Sequence, residues 1–380
     1  MRRLALLILT LFPIALAAQT PDEDEEPLAP WRLSYFPYIT GGVNDAPVIA
    51  ARIRYWQPAG YEDRVTANAS LDAGAGIAPK GSRYLGVQFR APQLVRDWRF
   101  TAAGLASRDA RLGYYGLGNT VQKNDDLATD AHPFLYRVGR TVYRGQAEAT
   151  RRLKGPLQVG LMLGVESARF SSLPGPSVFD STFGSRLSQT DASARVALIY
   201  DSRDNEFNTH QGLLLETGAQ VGSGGGDYTR LYSVLRGYLT VREGTVLAAR
   251  LAASGMGGSP PLAARFVIPS WEYPIQVLGG QYSHRAIDTG RLAGRHVLLG
   301  NFEVRHDLLP FGDLGAVSLI GFLDAGRVFE GESFRLTTDD LAVGGGGGIA
   351  LRILRSTIFT FNFAGGPDGF NFSVGNGWMF

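Results

Sequence analysis

Apolar and polar positions alternate along the last eleven residues of the chain. Phe370, Phe372, Val374, Trp378 and Phe380 fall on one set, and Asn371, Ser373, Gly375 and Gly377 on the other. Successive side chains of a strand point to opposite faces, so the pattern predicts a strand with one apolar and one polar face. From Trp31 onward the same periodicity predicts about sixteen strands, near 31–40, 47–57, 64–74, 83–90, 97–106, 134–152, 157–168, 191–201, 212–221, 228–241, 244–254, 295–307, 314–325, 343–354, 356–363 and 369–380. In the strand near 295–307, Leu298, Gly300, Phe302 and Val304 alternate with Asn301, Glu303 and Arg305. In the next, Val317, Leu319 and Leu323 alternate with Ser318 and Asp324.

Two architectures use such strands, a water-soluble β-sandwich and a membrane barrel. The connections separate them. One set is short, as in Lys154-Gly155-Pro156, Arg242-Glu243-Gly244 and Leu354-Arg355-Ser356, while the opposite set holds the long segments 107–133, 169–190, 255–294 and 326–342. Short turns at one rim and long loops at the other are the asymmetry of an outer-membrane barrel, and a sandwich has no reason to sort its loops this way. Trp31, Trp56, Trp98 and Trp378 fall at strand ends on the short-turn, periplasmic side, where an aromatic girdle is expected; Trp271 lies inside the longest loop. The sequence therefore predicts an all-β, transmembrane antiparallel β-barrel over 31–380 in the bacterial outer membrane. Its last strand closes against the first, and Val374, Trp378 and Phe380 form a C-terminal barrel signal. Glu303, Arg305 and Asp324 then face the lumen, because an arginine on lipid at mid-depth costs about 2–4 kcal/mol.

Composition agrees with this picture. Glycine, at 49 residues, suits turns and curved strands, and 11% aromatic content suits girdles. Beyond the first residues no apolar stretch approaches the roughly 20 residues of a membrane-spanning helix. Arg2 and Arg3, the apolar run Leu4 to Leu16 and the small residues Ala15, Ala17 and Ala18 predict a secretory signal peptide over 1–18. Residues 19–30, with Asp22 to Glu26 before Pro27, predict an acidic, disordered periplasmic tail. The chain has no cysteine, which excludes disulfides and lipidation at a processed thiol. A net charge of +2 gives no argument for nucleic acid as a partner.

Three segments carry a more specific pattern. A turn reads Tyr200-Asp201-Ser202-Arg203-Asp204-Asn205, with Gly212 opening the following strand; the thirteenth strand reads Gly321-Phe322-Leu323-Asp324-Ala325-Gly326; and the longest loop between them holds Leu278-Gly279-Gly280 and Arg285. In this order they resemble the bacterial surface antigen superfamily, the BamA/TamA insertases and two-partner secretion translocases. Tyr115-Gly116-Leu117-Gly118-Asn119 is similar to a loop motif of the same barrels. The resemblance implies that the long loop folds back into the lumen. There its arginine, Arg285, would meet the aspartate of the Phe-x-Asp-x-Gly motif, Asp324, with Glu303 as a second carboxylate. A guanidinium can fork between two carboxylates where an ammonium cannot. Such a contact is either plain lumen packing, worth about 0–1 kcal/mol when wet, or a shielded pair whose disruption costs about 3–5 kcal/mol. The chain departs from the family in carrying Ala286 and Ile287 after the arginine, in place of glycine and an aromatic, and residues 19–30 are too few for a POTRA domain. Asp201, Arg203, Asp204 and Asn205 read as a periplasmic turn motif, either turn-forming or functional.

No chemistry is legible. The five histidines, His132, His210, His284, His296 and His306, have no nucleophile motif or ligand spacing beside them, so no enzyme activity, cofactor or metal is expected. The resemblance implies a barrel that assists insertion or translocation of polypeptide, or of lipid, at the outer membrane; the alternative is a passive pore or structural barrel of the same fold. Expected partners are outer-membrane lipid, an unfolded β-barrel client or a separate periplasmic protein, and the barrel-assembly machinery for its own insertion.

Overall fold

The computed structural model of the protein describes residues 29–380 apart from 41–44, 62, 120, 122, 125, 313, 332–333, 335–336 and 354–356. The signal peptide expected at 1–18, the acidic tail as far as residue 28 and the Leu354-Arg355-Ser356 turn lie outside the described residues. Sixteen antiparallel strands form one sheet: β1 (Arg32–Thr40), β2 (Val48–Pro58), β3 (Ala67–Ile77), β4 (Arg83–Val95), β5 (Trp98–Gly113), β6 (Arg137–Lys154), β7 (Leu157–Ser171), β8 (Arg186–Asp201), β9 (Gly212–Ser223), β10 (Tyr228–Arg242), β11 (Thr245–Gly258), β12 (His296–Pro310), β13 (Gly315–Phe329), β14 (Ala342–Ile353), β15 (Thr357–Gly366) and β16 (Gly369–Asn376). Each strand pairs with its neighbours in sequence, giving an up-and-down barrel. Among the described residues no ladder joins β1 to β16, so the barrel wall has one seam.

Alternation sets the two faces. Leu161, Leu163 and Val165 of β7, Val196 and Leu198 of β8, Leu231 of β10 and Leu323 of β13 are exposed on the outside. In water so broad an apolar belt would be an aggregation site, whereas against lipid tails it is a matched surface. The inward sets are charged and paired, as in Arg195 with Glu148 and Arg144 with Glu166. On β12 and β13, Asn301, Glu303, Arg305, Ser318 and Asp324 are buried while Phe302, Leu319 and Leu323 are exposed, so the facing read from alternation holds there.

The rims differ from the expectation in part. Long connections do gather at one end, over 114–136, 172–185, 259–295 and 330–341, but the other end also carries two extended turns, 59–66 and 202–211. Of the four tryptophans expected in a girdle, Trp31 stacks on outward Tyr55 and Trp98 on Phe100. Trp56 instead shares the inward set of β2 with Arg52 and Arg54, which reach Asp72. The last strand stops at Asn376, four residues short of the expected end. Gly377 takes a φ of +88°, a left-handed conformation that resets the alternation and turns Trp378 and Phe380 into the lumen. Phe370 and Phe372 stay on the outer face.

The 259–295 segment fills much of the lumen. It leaves β11, makes a 3-10 turn (Leu262–Phe266) and a two-residue ladder of Val267–Ile268 with Ile275–Gln276, then returns through a second bend to β12. Ile268, Ile275, Val277, Leu278, Ile287 and Leu292 pack on inward residues of β8 to β13, among them Ile199, Leu214, Val234 and Leu299. Full burial of such side chains stabilises by roughly 1.5–3 kcal/mol each. The opposite wall is left open: inward-facing Phe36 of β1 is 53% exposed.

Candidate functional site

The second bend of the re-entrant loop is built on two glycines. Gly279 and Gly280 have φ of +132° and +99°, and a Cβ at Gly279 would lie 2.2 Å from the Asp288 carbonyl oxygen. The Gly280 N–H donates to Ile287 O at 3.0 Å, closing the bend and presenting Arg285 from its tip. Arg285 is buried between β12 and β13. It donates Nε to Asp324 Oδ2 at 2.9 Å, Nη2 to Asp324 Oδ1 at 2.8 Å and Nη1 to Glu303 Oε1 at 2.5 Å, and its backbone N–H adds a bond to Asp324 Oδ2 at 2.9 Å. The guanidinium carbon lies 3.5 Å from the centre of the Phe322 ring. One aspartate thus takes a bidentate fork while the third arm goes to a different strand, an arrangement that fixes position as well as charge.

Neighbours complete the cluster. Arg305 donates Nε to Glu303 Oε2 at 2.8 Å, and Asn301 Nδ2 donates to Asp324 Oδ1 at 2.8 Å and to Ser283 O at 2.7 Å. Two guanidinium groups therefore face two carboxylates, and the shared lone pairs are occupied, which is the condition for holding charges out of water. Ala286 occupies the place that glycine takes in the resembled family. Its Cβ fits a gap in the wall: a Cβ at Gly344 would lie 2.3 Å from it and one at Gly366 2.6 Å. Gly344 on β14 and Gly366 on β15 leave the room that this methyl group occupies.

The first bend, 269–274, forms a second cluster. Glu272 accepts from Arg203 Nη2 at 2.6 Å and from Arg236 Nη1 at 2.6 Å, while Arg203 Nε donates to Asp201 Oδ1 at 2.9 Å. Arg64 pairs with Asp201 at 2.9 Å; Arg99 forks onto Glu206 and lies 4.7 Å from the Trp271 ring. Burial alone would push the Glu272 carboxyl up, but Arg203 and Arg236 outweigh it and hold the group at about 2. The turn motif divides by role. Asp204 Oδ1 accepts from the N–H groups of Asn205 and His210, and Asn205 Oδ1 from those of Phe207 and Asn208, so these two build the turn. Arg203 reaches from it to Glu272 of the loop, and Asp201 holds the Arg203 guanidinium in place.

Two further sets of contacts secure the loop and the chain's last residues. At the long-loop end Tyr115 accepts from Arg137 Nη1 at 3.0 Å and stacks on Tyr136 at 4.8 Å, the Gly118 N–H donates to Ala293 O at 2.8 Å, and Asn119 Nδ2 donates to Asp340 O at 2.8 Å. The 115–119 motif is therefore a clamp on the returning limb of the loop. At the short-turn end the tail beyond β16 docks inside. Trp378 Nε1 donates to Asn208 Oδ1 at 2.8 Å, and the Arg305 guanidinium lies 4.5 Å from the Trp378 ring and donates to Phe380 O at 3.0 Å. Phe380 packs on Tyr238, Val246 and Ala248. Of the three residues read as a C-terminal signal, only Val374 remains in the strand. Alternation counts residues and cannot see a backbone reversal at Gly377.

The arrangement is mechanical in character: paired charges fasten one loop to β9, β10, β12 and β13, Tyr282 of the same loop donates Oη to Asn376 O on β16 at 3.4 Å, and on the other side of the seam Phe36 of β1 is left uncovered. A family model described as the Omp85 superfamily domain matches residues 50–378. Among solved structures, BamA from Haemophilus ducreyi lacking POTRA domains 1–3 aligns at 11% identity over 93% of this chain and 71% of that one, with a TM-score of 0.58. CdiB from Escherichia coli aligns at 11% identity over 92% of this chain and 62% of that one, TM-score 0.59. CdiB from Acinetobacter baumannii aligns at 13% identity over 90% and 59%, TM-score 0.51. The chain thus spans less than two thirds of either CdiB, and at these identities the likeness is one of fold. No curated protein matches the chain.

Proposed function

The chain belongs to the Omp85 superfamily, and on that premise we propose that it works at a bacterial outer membrane, assisting the insertion or translocation of polypeptide through the seam between β1 and β16. The observation that carries this reading is the linear strand order, in which β1 and β16 each keep one edge without a ladder among the described residues. An unpaired edge offers a row of backbone donors and acceptors, the template on which an incoming strand adds. Pro37 in β1 supports it, because a residue with no N–H is tolerated on edge strands and not in central ones. The lumen behind β1 is open, with Phe36 uncovered and Tyr38 bonded along the wall to Tyr84 of β4 at 2.7 Å. The loop, held by Arg285 on β12 and β13 and by Glu272 near β9 and β10, reaches β16 through Tyr282 and Asn376, so it braces one side of the seam and leaves β1 on the other side uncovered.

The competing reading is a passive pore. It is disfavoured by the apolar packing of the loop against β8 to β13, which occupies the lumen a pore would need. Reconstitution separates the two. The purified chain in liposomes is expected to accelerate membrane integration of a urea-unfolded barrel client severalfold over empty liposomes, with small single-channel currents. Large steady conductance with no acceleration would end the insertase reading.

A further inference from the structure

The outer face carries a feature that its apolar belt does not explain. Arg83 on β4 stands directly opposite Arg108 on β5; Arg108 pairs with Thr141 on β6, Thr141 with Arg169 on β7, and Arg169 with Ser188 on β8. These residues form one row across five strands at the long-loop edge. Arg186 lies one rung further out on β8, diagonal to Arg169. All four arginines are exposed, and each shares its alternation set with lipid-side residues: Leu85 and Val87, Leu163 and Val165, Val196 and Leu198. They therefore point outward, at the boundary between the apolar belt and the loops.

Like charges directly opposite on adjacent strands repel. Neighbouring strands are about 4.8 Å apart, so Arg83 and Arg108 are close and Arg169 is roughly 10 Å further along. On β6 the inward arginines Arg140 and Arg144 meet carboxylates, Asp109 and Glu166. The outward sets of β4 to β8 contain no Asp or Glu at all, and among the described residues none of the four arginines meets a carboxylate. Among the described residues no counter-charge stands beside the row. On β1 to β3 the corresponding row is apolar, Ile39, Ile49 and Ile77, so the cationic stretch is an arc and not a ring.

We propose that this arc, Arg83, Arg108, Arg169 and Arg186, binds the phosphate groups of a phosphorylated glycolipid in the outer leaflet. Guanidinium groups recognise phosphate oxygens through paired N–H donors. The row lies at headgroup depth at the end whose long loops face outward in such barrels. Ser167 and Thr190, bonded to each other at 3.1 Å one rung deeper, and exposed Tyr143 beside them extend the polar surface toward the sugar of such a headgroup. The inference depends on outer-membrane placement and is independent of polypeptide insertion.

The test is a binding titration of the full chain in nonionic detergent with diphosphoryl lipid A, chemically dephosphorylated lipid A and phosphatidylglycerol. Diphosphoryl lipid A is expected to bind at least about tenfold more tightly than either comparison, with affinity falling as salt rises. The variant with Arg83→Gln, Arg108→Gln, Arg169→Gln and Arg186→Gln is expected to lose that preference, by roughly fivefold per arginine at low ionic strength. Arg140→Gln, inside the lumen, is expected to keep it. Retained folding of each variant is read from the heat-dependent gel shift of the barrel. Equal affinity for dephosphorylated lipid A or phosphatidylglycerol, or an unchanged preference in the fourfold variant, would overturn the assignment.

Discussion

Removing the Arg285 side chain is the sharpest perturbation of the loop anchor. Arg285→Ala deletes three charge-assisted hydrogen bonds, at 2.9, 2.8 and 2.5 Å, from a site where both carboxylates are buried. At about 1.5–3 kcal/mol per such bond the gross loss is large, but it is partly offset because the guanidinium no longer has to be held out of water. Glu303 keeps Arg305, and Asp324 keeps Asn301 and the backbone N–H of residue 285. The net expectation is a destabilisation of about 3–5 kcal/mol, the usual cost of stranding one half of a buried pair. Arg285→Lys, which keeps the charge and loses the fork, should fall between the parent and Arg285→Ala. The double variant Arg285→Met with Asp324→Leu should be less damaging than the two single changes summed, since it strands no charge on Asp324. Urea unfolding in micelles, followed by tryptophan fluorescence and the heat-dependent gel shift, measures the parent, Arg285→Ala, Arg285→Lys, the double variant and its two single changes. A loss below about 1 kcal/mol for Arg285→Ala would mean a wet, unshielded contact, and a double variant as damaging as the sum would refute the coupling.

Three other outcomes follow from the same geometry. Gly344→Ala should collide with the Ala286 methyl group and cost about 1–3 kcal/mol, and adding Ala286→Gly should recover part of the loss in the same unfolding assay, the remainder coming from the Gly365 carbonyl oxygen at 3.0 Å. For Glu272 the folded carboxyl is held at about 2, below its ordinary value of 4.5, so its contribution is full above about pH 4.5 and disappears as pH falls toward 2. Iodide quenching of Trp271, isolated by comparison with Trp271→Phe, should therefore rise over that window, and a flat profile would remove Glu272 as the tip's anchor. Trp378→Ala should release the tail, exposing 377–380 to carboxypeptidase without altering the barrel's gel shift; equal resistance in parent and variant would place the tail outside the lumen.

Strand number, facing and the sorting of long loops were legible because period-2 alternation survives in nearly every strand, and outward charge on β4 to β8 is kept to the strand ends. Arg285, Asp324 and Glu303 could be nominated from motif order and facing, although their distances could not. What alternation missed has specific causes. The tail leaves the strand at a positive φ on Gly377, and Trp56 sits at a strand end on the inward set, where counting rim aromatics does not reveal face. Glu272 lies in a loop with no periodicity, and its partners Arg203 and Arg236 are 69 and 36 residues away in sequence. Ala286 looked like a departure from the family until the glycines of β14 and β15 showed where its methyl group goes.

Site-specific photo-crosslinking during client integration addresses the seam directly. A photoreactive residue at Tyr35 of β1 or Phe372 of β16, in proteoliposomes given a urea-unfolded barrel client, should yield client adducts. The same residue at Leu161 of β7, equally exposed on the outer face but inside an unbroken ladder, should yield none. Adducts at all three positions alike, or none at the two seam positions while the client integrates, would contradict a working edge between β1 and β16.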